Sequence, residues 1–128
     1  MPELLTTSLF AVVGLLFIGL ARPFIRGRVP PNRLSGLRVR ATFADPAVWY
    51  AANAATGRDL ARLGGAVFVA AFVVPWLVGR HATLVLAVGV VVGTVALAAV
   101  GTVRANRLLA ARERAAPSMA PGAESRGG

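Results

Sequence analysis

Residues 82 to 103, ATLVLAVGVVVGTVALAAVGTV, run from Ala82 to Val103 without an Asp, Glu, Arg or His. A helix needs about 20 such residues to cross roughly 30 Å of hydrocarbon, so this stretch is predicted to span a membrane. Leu4 to Ala21 and Leu63 to Gly79 read the same way. All fourteen arginines fall outside these three runs, and the chain has no lysine. The pattern predicts an all-α integral membrane protein. Three transmembrane helices lie near residues 4–21, 63–79 and 82–103, with a cytoplasmic juxtamembrane loop and helix over 22–62.

Composition agrees, because 128 residues at 56% hydrophobic and a mean hydropathy of +0.68 leave too little polar surface for a soluble globule. Three spans and one loop allow one domain over residues 1–116, with 117–128 expected to be a disordered tail. The chain has no cysteine, which removes disulfides, thiolate metal sites and a thiol nucleophile. Eight arginines lie between the first two runs, five follow the third, and only Arg80 sits in the short turn with His81. The positive-inside rule therefore puts the N-terminus outside the cell membrane, and the long loop and C-terminus in the cytoplasm. The first run reads as an uncleaved anchor, since Met1-Pro2-Glu3 supplies no basic n-region. A net charge of +9 is accounted for by topology and by attraction to anionic lipid headgroups, and no nucleic-acid partner is expected.

Along the loop, Arg22-Pro23 is expected to close the first helix and Gly27 to Ala44 to be irregular. Asp45-Pro46 then signals a helix start, with Asp as N-cap and Pro at the first position, where its missing donor costs nothing. Trp49 and Tyr50 on this helix read either as an interfacial anchor at headgroup depth or as a binding surface. Gly57 breaks or bends the helix, which leaves open whether it is continuous with the second span. In that span Phe68, Phe72 and Trp76 form an aromatic stripe facing lipid or packed bulk, and Pro75 bends the outer end. In the third span Gly89, Gly93 and Ala96 share a narrow face and read as the helix-packing seam, used either within the chain or in a homo-oligomer. That helix is expected to continue to about Ala115. The span hydroxyls, among them Thr6, Thr83, Thr94 and Thr102, are expected to bond back to their own helices.

The acids Glu3, Asp45, Asp59, Glu113 and Glu124 are scattered, His81 is the only histidine, and no metal-ligand spacing or nucleophile motif occurs. No catalytic residue, metal or cofactor is expected, and the chain reads as a non-enzyme. No ionisable group enters a span, which argues against proton or ion coupling.

The string Pro31-Asn32-Arg33-Leu34-Ser35-Gly36-Leu37-Arg38, followed by Thr42, Trp49, Asn53 and Gly57, resembles the signature of the SdpI family of small bacterial membrane proteins. In that signature an Asn, a Gly-x-Arg, a Thr and a Trp follow one membrane helix and precede another; Val39 stands where a Thr often follows Gly-x-Arg. The resemblance implies an α-helical membrane protein of immunity against a secreted peptide toxin, or one that senses the toxin and holds a transcriptional repressor at the membrane. It implies no enzyme activity. Read from the residues themselves, Asn32 caps a turn, Gly36 permits a backbone that a Cβ would block, and Arg38 bonds carbonyls or lipid phosphate. The loop is then a folded cap that fixes the helices, a contact surface for a toxin or repressor, or both. The alternative function is a small accessory or structural subunit of a larger membrane complex.

Overall fold

The computed structural model describes residues 2–32, 36–38 and 40–119; Arg33, Leu34, Ser35 and Val39 of the quoted string, and residues 120–128 of the expected tail, lie outside the described residues. Helix α1 is Pro2–Ile25, α2 is Arg40–Ala44, α3 is Pro46–Val78 and α4 is Ala82–Met119, with a 3-10 turn at Gly79–His81 between α3 and α4. Among the described residues no strand occurs. Among the described residues two helical stretches are long and apolar enough to cross a membrane. One is Glu3–Ile25; the other is Pro46–Ala115, which the 3-10 turn folds into two antiparallel helices.

Helix α1 does not stop at Pro23. It ends instead on Gly27, whose φ of 66° is open to glycine at low cost. The Gly27 N–H donates to Phe24 O at 3.2 Å and the Arg28 N–H to Pro23 O at 2.9 Å, the paired bonds of a Schellman cap. The start of α3 is as expected: Asp45 is the N-cap, its side chain accepts from the Ala47 N–H, and Pro46 occupies the first turn. The segment between is not wholly irregular, because α2 supplies a short helix over Arg40–Ala44. Helix α4 runs to Met119, so the boundary read at Pro117 falls inside its last turn.

Helix α3 lies between α1 and α4 and is antiparallel to both: Gly14 faces Gly64, Gly57 faces Ala21, and Gly93 faces Leu63. It runs unbroken through Gly57 and Pro75. Gly57 reads as a breaker in sequence, yet its missing side chain serves packing. A Cβ there would lie 3.1 Å from Ala21 O. The tightest approach is at Gly14 and Gly64, where a Cβ on either would come within 2.6 Å of the other's carbonyl oxygen. Gly57, Gly64 and Ala71 recur at seven-residue steps on α3, and Gly14 and Ala21 on α1, all of them buried. Two helices under-wound to a seven-residue repeat keep such a seam in register, and small residues let their backbones meet.

Within the chain this seam, and not Gly89, Gly93 and Ala96, carries the close helix approach; use of that face between copies of the chain is a separate matter. A Cβ on Gly89 would meet nothing within 4 Å, Ala96 is exposed, and the nearest atoms to a Cβ on Gly93 belong to the flexible end of Leu63. The face is small, but small residues only permit an approach, and within the chain this part of α4 is largely uncovered. Phe10, Ala11, Val67, Ala71 and Leu86 form the core of the turn end. At the loop end Ala41, Val48, Ala52 and Ala105 form a second one. Thr94 and Thr102 bond back to Val90 O and Ala98 O, while the Thr6 and Thr83 hydroxyls instead pair across helices at 2.7 Å. Trp76 is 91% exposed and Phe72 half-exposed, so the outer part of the aromatic stripe faces away from the bundle.

Candidate functional site

The loop is organised around the backbone of Leu37. Gly36 has a φ of 89°, and a Cβ on it would lie 2.7 Å from both Asn53 Oδ1 and Phe24 Cε1, so glycine is required for conformation and for space. This places Leu37 against α3. Its N–H donates to Asn53 Oδ1 and its carbonyl accepts from Thr42 Oγ1 at 2.9 Å. Asn53 Nδ2 donates to Trp49 O at 3.0 Å and, more weakly, to Leu37 O at 3.5 Å. Trp49 Nε1 donates to Val29 O at 2.9 Å, which ties the start of the loop to the same helix. Asn53, Thr42 and Trp49 are all buried, so these bonds form where water does not compete, and leaving any of them unmade is expensive.

Five of the seven candidate motif residues therefore meet: Gly36, Thr42, Trp49, Asn53 and Gly57 hold the loop to α3, and α3 to α1. Asn32 donates from Nδ2 to Pro30 O at 2.8 Å, a local turn bond, and Arg38 is exposed. The aromatic pair is split as well. Trp49 is neither an interfacial anchor nor an open binding surface, since it is fully buried with its ring 5.6 Å from that of Phe43; Tyr50, next to it on the helix, is exposed. A tryptophan beside arginines reads as interfacial, but the carbonyl of Val29 gives its N–H an internal partner, and that allows burial.

The acids that look scattered in sequence join α3 to α4 at the loop end. Asp45 pairs with Arg112, and Asp59 bridges Arg104 Nη2 at 2.9 Å and Arg62 Nη1 at 3.1 Å. The hydrogen bond from Arg112, followed by that from the Ala47 N–H, holds the Asp45 carboxyl below its ordinary value. The pairs with Arg112 and Arg104 are not visible from sequence, because the partners lie 67 and 45 residues apart. Among the described residues the buried side-chain atoms Thr56 Oγ1 and Arg104 Nη1 have no hydrogen-bond partner. Beneath the Leu37 clamp lies a cleft of about 340 Å³ that Gly36, Leu37, Asn53 and Gly57 help to line. The arrangement is suited to holding and presenting a surface, because its polar groups are committed to backbone partners.

The sequence profile of the SdpI/YfhL protein family matches residues 28–100, from the start of the loop through α3 to the middle of α4. The chain belongs to the SdpI/YfhL protein family. The match covers more than half of the chain and contains every clamp residue, whereas α1 precedes it. Comparison with curated proteins and with solved structures gives no match. Membership in the SdpI/YfhL family and the long apolar helices together support a membrane location.

Proposed function

We propose that this SdpI/YfhL protein is a three-span protein of the cell membrane, with its N-terminus outside and its loop end and C-terminus in the cytoplasm. It acts as an immunity or signalling protein that binds a peptide toxin, a repressor, or both, through the exposed side of the loop end. It works by binding, without a reaction or a cofactor of its own. The observation that carries the reading is that the family match falls on the Leu37 clamp. Family membership supports the membrane immunity role, and the clamp supplies a base for whatever the exposed Arg38, Phe43 and Tyr50 contact. The arginine distribution supports the orientation.

The test is Arg38→Lys, which keeps the charge and the topogenic signal but loses the planar fork that grips carboxylates or phosphates bidentately. Wild type and variant are expressed in a toxin-sensitive host and scored for survival and for membrane-bound protein. Lower survival at equal abundance is expected. Equal survival at equal abundance removes Arg38 from the partner surface. A second reading, an accessory subunit of a larger membrane complex, draws on the outer face of α4, where Val91, Val92 and Val95 are exposed and Gly89 is open. Failure of the wild type to protect against any candidate toxin favours that reading.

A further inference from the structure

Two adjoining cavities lie at the turn end, away from the clamp. The smaller, of about 130 Å³, is lined by Glu3 and Thr6 of α1, Gly79 and Arg80 of the turn, and Thr83 of α4. The larger, of about 400 Å³, shares Glu3 and Gly79 and adds Thr7 and Trp76 among others. Glu3 and Arg80 thus bring opposite charges to one small cavity. Among the described residues neither takes part in an ion pair or a side-chain hydrogen bond, with the other or with a third group. Both are exposed, so their charged ends are open to a ligand. Two unlike charges that line one cavity without pairing call for a group that carries both signs in reverse, a cation for the carboxylate and an anion for the guanidinium.

The hydroxyls narrow the cation. Thr6 and Thr83 bond to each other at 2.7 Å, which uses one of their two protons. The carboxylate and the hydroxyl oxygens are acceptors, and acceptors are matched by N–H donors, which a primary ammonium has and a quaternary one lacks. The surroundings name the source. Leu4, Leu77 and Leu84, adjacent in sequence to Glu3, Trp76 and Thr83, are 63%, 75% and 66% exposed, and Trp76 is 91% exposed. Apolar side chains turned outward beside an exposed indole mark the depth at which acyl chains meet headgroups. We propose that the turn end binds the headgroup of phosphatidylethanolamine. Glu3 accepts from the ammonium, Arg80 donates to the phosphate, and the acyl chains run over the exposed leucines. This lipid carries no net charge, so the general attraction of arginines for anionic lipids does not account for its selection. The inference takes its membrane setting from the proposed function, which cell fractionation tests separately, and needs neither toxin nor repressor.

The full chain, purified in mild detergent, is mixed with equal amounts of phosphatidylethanolamine, phosphatidylcholine and phosphatidylglycerol bearing the same acyl chains and examined by native mass spectrometry. One phosphatidylethanolamine per chain is expected to be retained in preference to the other two. Glu3→Gln keeps the shape of the side chain but removes the charge that the ammonium needs. It should lower phosphatidylethanolamine retention about tenfold, the effect of one charge-assisted hydrogen bond, and so abolish the preference. Arg80→Gln should lower retention of phosphatidylethanolamine and phosphatidylglycerol alike, because the phosphate is common to both. Glu113→Gln, an exposed carboxylate at the far end of α4, should change nothing. Free phosphoethanolamine, which lacks the chains, should displace the lipid only in large excess. Equal retention of the three lipids, or an unchanged preference in Glu3→Gln, overturns the proposal. So does preferred retention of phosphatidylcholine, which would assign the larger cavity to a quaternary ammonium on the Trp76 ring, and so does displacement by phosphoethanolamine at equal concentration, which would assign the site to a soluble zwitterion.

Discussion

Gly64→Ala adds one methyl group where α1 and α3 cross. Its Cβ would lie 2.6 Å from Gly14 O, 2.9 Å from Phe17 Cβ and 3.1 Å from Ile18 Cγ1. The nearest obstacle is backbone in the middle of a helix, which cannot rotate aside as a side chain can, so the helices must separate. Overpacking of this kind costs about 1–3 kcal/mol, and the rigid obstacle puts Gly64 in the upper part of that range. Separation adds to the cost, because a gap of about 0.5–1 Å forfeits a quarter to a half of the attraction of each contact along the seam. Gly89→Ala is the matched control, since its Cβ would meet nothing within 4 Å. It should be neutral or stabilising by up to about 1 kcal/mol, the helix-propensity gain of exchanging Gly for Ala. Gly93→Ala should fall between, because its nearest neighbour is the Cδ1 of Leu63, 2.7 Å away at the end of a flexible side chain. Unfolding of all three variants in detergent, followed by far-UV circular dichroism, gives the ranking. If Gly64→Ala is as stable as Gly89→Ala, the seam is not where the structure places it.

Asn53→Leu keeps the volume of the side chain but strands the Leu37 N–H in a buried site, at a cost of about 1–3 kcal/mol; hydrogen exchange should be much faster at Leu37 than in wild type, and unchanged protection there would refute the clamp. The Asp45 carboxyl is held below its ordinary value by Arg112, so its stabilisation is present above the unfolded carboxylate value and is lost as pH falls through the depressed folded one. Asp45→Asn keeps an N-cap acceptor but removes the ion pair, and its melting temperature should therefore fall less steeply than that of wild type below a pH of about 4; parallel curves would show that the pair contributes nothing. For topology, Ala51→Cys on the exposed side of α3 should resist an impermeant thiol reagent in intact cells, while Glu3→Cys should react. The reverse result overturns the orientation.

The apolar runs and the Asp45-Pro46 cap carried the helical architecture, because run length and capping are local properties that a linear reading sees. Gly57 was ambiguous for the opposite reason. A glycine has the same local signal whether it ends a helix or admits a neighbour, and only the position of Ala21 O decides between them. The seven-residue spacing of Gly57, Gly64 and Ala71 marks the seam in sequence once it is set against the same spacing of Gly14 and Ala21 on α1. The clamp string was recognisable as a motif, yet its centre was not, since Leu37 takes part through its backbone and no side-chain pattern announces that. The ion pairs of Asp45 and Asp59 depend on the α3–α4 hairpin bringing distant residues together.

The burial of the clamp restricts which residues a partner can touch. Thr42, Trp49 and Asn53 are almost entirely covered, so a toxin or repressor docking on the loop end meets Arg38, Phe43 and Tyr50 in their place. Loss of function on changing a buried clamp residue is therefore evidence about folding before it is evidence about binding. Trp49→Phe illustrates this: it keeps most of the ring contact with Phe43 but deletes the donor to Val29 O, leaving that carbonyl without its indole partner at a cost of about 1–3 kcal/mol. Its melting temperature and its protection of a sensitive host should fall together. Arg38→Lys should lower protection alone, with the melting temperature and membrane abundance of wild type. If the two variants behave alike in both assays, the loop end is a structural cap only, and the partner surface must be sought elsewhere on the bundle.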